Sequence, residues 1–146
     1  MKILLPVDGS ELALDAVRHA LHLQREGLRA SFVLATVQEP TYAFELMLPP
    51  AADVLDRLTG AVGARALVGA EALLAAAGCV FEREIGAGDA APTLLDIAQR
   101  FGCDAIIMGA RGMGALRSAL LGSVSQGVLQ ASTVPVTIIK HRAAVD

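Results

Sequence analysis

Five short runs of aliphatic and β-branched residues recur along the chain, and a helical pattern separates each from the next. The runs are Lys2–Val7, Ala30–Val37, Cys79–Ile85, Asp104–Gly109 and Val134–Lys140. Between them lie helical segments at Ser10–Glu26, about Ala51–Ala77, Ala90–Phe101 and Ser123–Ala131. Strict alternation of this kind predicts parallel strands joined by right-handed crossovers, with helices on both faces of the sheet. Ile3-Leu4-Leu5 and Ala105-Ile106-Ile107-Met108 are continuously apolar, as strands covered on both faces must be. Glu82, Arg83 and Glu84 interrupt the third run, and Pro135 stands in the fifth, where it cannot donate to a ladder. Both features belong at sheet edges. The pattern therefore predicts one α/β domain over residues 1–146, with a five-stranded parallel sheet of order 3-2-1-4-5.

The first helix carries Leu12, Ala16, Ala20 and Leu23 on one stripe, a 3.6-residue period. The second is long and rich in alanine, and Gly60, Gly63 and Gly69 predict a kink or break in it.

Composition narrows the function classes. Hydrophobic residues make up 54% of the chain and charged ones 18%, too apolar for disorder. A net charge of -3, no Trp and one Tyr offer neither a basic face nor stacking aromatics, so nucleic acid is not expected as a partner. No uninterrupted apolar run approaches the roughly 18 residues of a membrane span. Met1–Asp8 carries too short an apolar run for a signal peptide, and a cytoplasmic location is expected. Cys79 and Cys103 each open an apolar run and are expected to be reduced packing residues.

In open α/β sheets, ligands bind beyond the carboxyl ends of the strands where the order reverses. Here that is between the first and fourth strands, at Pro6-Val7-Asp8-Gly9-Ser10 and Gly109-Ala110-Arg111-Gly112. The second of these opens a glycine-rich stretch that ends at Gly122-Ser123-Val124-Ser125, where a helix begins. Glycines let the backbone approach a ligand, and amides at a helix start are donors at the positive end of a dipole. Ser123 and Ser125 would add hydroxyls, and Arg111 and Arg117 positive charge. The same residues admit a plainer account. Ser123-Val-Ser-Gln126 fits a capping box, and Asp8 followed by Glu11 could cap the first helix. Residue chemistry alone leaves the phosphate cradle and the capped turn level.

The spacing Gly-x2-Gly-x9-Gly-Ser, filled by Gly109, Gly112, Gly122 and Ser123, resembles the nucleotide signature of the universal stress protein family. The similarity extends to Ile3–Ser10, Asp104–Gly112 and Ser132–Lys140, and so spans nearly the whole chain. It implies a flavodoxin-like fold and, because the glycine signature is intact, ATP binding. Carried over by position, Pro6, Val7 and Asp8 would line the nucleoside side, with Asp8 near the ribose or a phosphate-bound Mg or Mn ion. Val37 would meet the adenine, and Met108 and Gly109 would flank the nucleoside. Arg111 and Gly112 would reach the ribose and phosphates, and Gly122, Ser123, Val124 and Ser125 would hold the phosphates. The resemblance further implies a homodimer built on Val134–Lys140.

The expected function is that of a regulatory ATP-binding protein of the stress response, acting on a protein partner the sequence does not name. A slow ATP hydrolase or self-phosphorylating enzyme is one alternative, and an interaction module without nucleotide is another. Hydrolysis needs a positioned water and charge neutralisation. The candidate site offers one Asp and two Arg but no evident base, so no catalytic residue is assigned. His19, His22 and His141 lie away from the switch point and receive no role.

Overall fold

The computed structural model describes residues 1–39, 52–111 and 121–140, with the backbone alone for 52–56. Gly112, Arg117, His141 and most of the connection Gln38–Pro50 lie outside the described residues.

The chain opens with β1 (Lys2–Pro6), whose residues after Lys2 are all buried. Such a strand needs cover on both faces, and the alternation of side chains supplies it. Ile3 and Leu5 face the layer formed by α1 (Glu11–Arg25) and α2 (Ala52–Ala76). Leu4 faces the opposite layer, formed by α3 (Ala90–Arg100) and α4 (Ser123–Ala131). The other strands are β2 (Ser31–Gln38), β3 (Phe81–Ala87), β4 (Ala105–Gly109) and β5 (Val136–Ile139). They pair in parallel in the order β3-β2-β1-β4-β5, as the apolar pattern predicts.

Burial explains the order. Leu4, Leu5, Val33, Leu34 and Ile106 have no exposed surface, and each large aliphatic contributes about 1.5–3 kcal/mol by leaving water. Those residues must occupy the middle of the sheet. On β3, Glu82 and Arg83 remain exposed and bond to Lys2 and Glu71, and the half-buried Glu84 bonds to Arg100. A strand with three charged residues in succession is tolerable only at the edge. At the other edge, Pro135 precedes β5 and contributes only its carbonyl, which accepts the Ile106 N–H at 2.9 Å. Val134, Val136 and Ile138 are half-buried against the α3/α4 layer.

The break expected in α2 does not occur. The helix runs continuously from Ala52 to Ala76 through its three glycines. Two of them lie against neighbouring side chains. A Cβ on Gly63 would lie 2.4 Å from Ile85 Cγ2, and one on Gly69 would lie 3.4 Å from Leu14 Cδ1. The helix tolerates glycine because the missing side chains let it settle onto β3 and α1. By length and composition Arg57–Ala76 could cross a membrane. It carries Arg65 and Glu71, however, and it buries Leu67, Ala70 and Leu74 against the sheet.

Among the described residues both cysteines are free. Cys103 is buried in the α3/α4 layer, and burial pushes its thiol above the usual range. Cys79 precedes β3, is half-buried, and donates its S–H to Gln24 Oε1 at 2.8 Å.

Candidate functional site

At the carboxyl ends of β1, β2 and β4 the chain encloses a cavity of about 580 Å³, well within the range of small-molecule sites. Pro6, Val7 and Asp8 enter it from the end of β1 and Val37 from the end of β2. Met108, Gly109 and Arg111 enter from β4, and Gly122, Ser123, Val124 and Ser125 from the start of α4. Each site residue expected from sequence is therefore in the wall, except Gly112, which lies outside the described residues.

The start of α4 differs from the capping box expected there. Gly122 is the N-cap, with extended backbone (φ -76°, ψ 168°), and among the described residues no side chain caps the helix. Ser123 is already the first helical residue, so its side chain is not the cap. The first-turn amides of a helix have no acceptor within it, and here they stand at the cavity wall. Two hydrogen bonds tie this turn to Ala110, which follows β4, and two more close the turn on Gly122. The Gly122 N–H donates to the Ala110 carbonyl at 2.7 Å. The Ser125 hydroxyl lies 2.6 Å from the Ala110 oxygen and 3.0 Å from the Gly122 oxygen. The Gln126 N–H donates to the Gly122 oxygen at 3.0 Å. Ser125 is 2% exposed, and its one proton is directed to backbone carbonyls.

Asp8 also acts differently from a simple cap. Ser10 is the N-cap of α1, accepting the Ala13 N–H at 3.2 Å. Asp8 stands behind it: Oδ1 accepts the Ser10 N–H at 2.9 Å and the Ser10 hydroxyl. Glu11 is not the third residue after this cap; Ala13 is, so the expected box does not form. Gly9 between them has φ +88°, and a Cβ there would meet Ala66 Cα at 3.3 Å. The turn thus requires glycine for its conformation and for its clearance from α2.

Several wall residues escaped sequence reasoning. Thr36 and Gln38 flank Val37 at the end of β2, Glu39 follows them, and Ala90 and Leu94 come from α3. Thr36 is 1% exposed and accepts a hydrogen bond from Gln38 Nε2 at 3.4 Å. A polar pair astride Val37 is the one signal that could have flagged β2. Nothing local in Ala90 or Leu94 could have done so. His19 and His22 sit on α1 with ring centroids 6.4 Å apart, and neither lines the cavity. Among the described residues, no three His, Cys, Asp or Glu side chains gather as a metal site.

This architecture has close parallels in known proteins. A sequence profile of the Universal stress protein family matches residues 1–140. The chain belongs to the universal stress protein family. Universal stress protein YxiE of Bacillus subtilis (strain 168) is 30% identical over 145 residues, covering 95% of this chain and 98% of that one. The solved structure of protein MJ0577 of Methanocaldococcus jannaschii superposes with a TM-score of 0.79 at 26% identity, covering 98% and 97% of the two chains. A universal stress protein solved in complex with cAMP superposes with a TM-score of 0.68 at 26% identity, covering 95% and 96%. The universal stress protein fold is thus shared along almost the full length of the chain, including the strand ends that wall the cavity.

Proposed function

We propose that this member of the universal stress protein family is a regulatory adenine-nucleotide-binding protein whose ligand is ATP. The observation that carries this reading is the junction of two unlike surfaces in one cavity. One part of the wall is the N-terminus of α4, and another is the apolar side chains of Val37, Leu94 and Met108. Phosphate groups suit the first, since helix-terminal amides and the dipole both favour negative charge. A flat heterocycle suits the second. The relative solved with cAMP supports an adenine nucleotide.

On this reading Ser123, Val124 and the backbone at Gly122 hold phosphate, and Ser125 keeps their turn in place. Pro6, Val7, Met108 and Gly109 border the nucleoside, and Arg111 faces the ribose and phosphates. Asp8 would be the protein donor nearest a Mg or Mn ion carried in with the phosphates. Occupancy would report a cytoplasmic stress state to a protein partner, with the chain acting as a homodimer through Val134–Lys140.

The test is direct. Freshly purified protein is denatured and the released small molecules are identified, with ATP expected. Calorimetry then compares wild type with Gly122→Val. The extended backbone of Gly122 admits any residue, so the variant should fold, but its side chain would occupy phosphate space. Loss of ATP binding is expected. Undiminished affinity overturns the phosphate assignment, and no adenine nucleotide bound by wild type overturns the function.

A further inference from the structure

The end of β2 carries a charged group that neither the fold nor phosphate binding requires. Glu39 follows the last residue of β2, is exposed, and lines the cavity beside Val37. Its Oε1 accepts the Ala90 N–H at 3.3 Å, across 51 positions of sequence. Ala90 is the first residue of α3, whose N-cap Asp89 makes no side-chain capping bond. The neighbouring Gly88 N–H donates to the Gln38 carbonyl at 3.1 Å. The carboxylate is thereby held in the cavity wall where β2 ends and α3 begins.

A cap uses only part of what a carboxylate offers. An ionised carboxylate is an acceptor at about four lone-pair positions and a donor at none, and the Ala90 amide takes one. Thr36 and Gln38, the other polar side chains on this strand end, are bonded to each other. Glu39 is therefore a charged acceptor in the wall close to Val37, where the apolar side chains would receive a base.

We infer that Glu39 selects the base, accepting a ring with an exocyclic amino group and refusing one with an oxo group in its place. This rests on the nucleotide reading above. An amino group donates a charge-assisted hydrogen bond to the carboxylate. A carbonyl in the same place sets lone pairs against a negative charge and offers it no hydrogen there. Discrimination then comes from repulsion of the wrong ligand as much as from attraction of the right one. A purely structural Glu39 would cap α3 and be indifferent to the base.

The experiment is calorimetric titration of wild type, Glu39→Gln and Glu39→Ala with ATP and with inosine triphosphate, which carries an oxo group where adenine carries the amine. Wild type is expected to favour ATP by about tenfold or more, the usual scale for a charge-assisted hydrogen bond exchanged for a repulsion. Both variants are expected to bring the two affinities within about threefold of each other. Glu39→Gln is isosteric at an exposed position, so it preserves the fold if Glu39→Ala does not. A wild-type ratio near one, or a ratio unchanged in the variants, overturns the inference and leaves nucleotide binding standing. Failure of wild type to bind either nucleotide overturns both.

Discussion

The Ser125 hydroxyl meets the Ala110 carbonyl oxygen at 2.6 Å, tying the first turn of α4 to the residue that follows β4. Because Ser125 is buried, this contact acts on the shape of the turn without offering the hydroxyl proton to a ligand. The proposed phosphate cradle is thus a backbone structure set by one side chain.

Ser125→Ala should loosen the turn without orphaning the Ala110 oxygen, which keeps the Gly122 N–H. The expected stability loss is about 1 kcal/mol, or a fall in melting temperature of about 2–4 °C for a domain of this size. If the phosphates rest on this turn as proposed, calorimetry should show a larger loss for ATP than for adenosine. Equal losses would place the effect elsewhere.

Asp8→Ala removes the acceptor of two Ser10 hydrogen bonds. If Asp8 also faces a phosphate-bound cation, ATP binding with Mg should weaken more than binding in chelator. Titrations in the two conditions check this. A matched loss in both would mean that Asp8 only supports the Ser10 cap.

Gly63→Ala should destabilise the protein, although alanine is the better helix former by about 1 kcal/mol. The new methyl would sit 2.4 Å from Ile85 Cγ2, an atom on a β-branched side chain with little freedom to turn. Overpacking of this kind costs about 1–3 kcal/mol. Adding Ile85→Ala should recover part of the loss, so urea denaturation of the double-mutant cycle should give a favourable coupling. Additive losses would show that the helix moves away as a whole.

The homodimer proposal is checked by size-exclusion chromatography with light scattering at micromolar concentration. Twice the 15.1 kDa chain mass is expected. Ile138→Pro, on β5 with its N–H turned away from β4, should lower the mass toward one chain if β5 of each copy meets the other. An unchanged dimer would move the interface elsewhere, and a wild-type monomer would remove it.

Much of the molecule was legible in the chain. Continuous apolar runs mark strands covered on both faces, and the charges at Glu82–Glu84 and the proline at 135 mark edges, so the strand order follows from burial and hydrogen-bonding rules alone. The wall residues Pro6, Val7 and Gly109 followed from that order, because a parallel sheet places its strand ends together at the switch point, whereas Met108 came from the family resemblance. Tertiary structure decided the rest. Whether Gly63 bends α2 or lets it approach Ile85 depends on a residue 22 positions away (63 to 85). The capping of α4 was equally hidden: the spacing of Ser123 and Gln126 allows a box, but Ala110 draws Gly122 and Ser125 toward itself and shifts the helix start. Glu39 and Ala90 meet only because β2 and α3 end and begin at one rim. Local pattern reports what a segment must bury. Which polar groups then face one another is settled by the packing, since those contacts join segments that share no period.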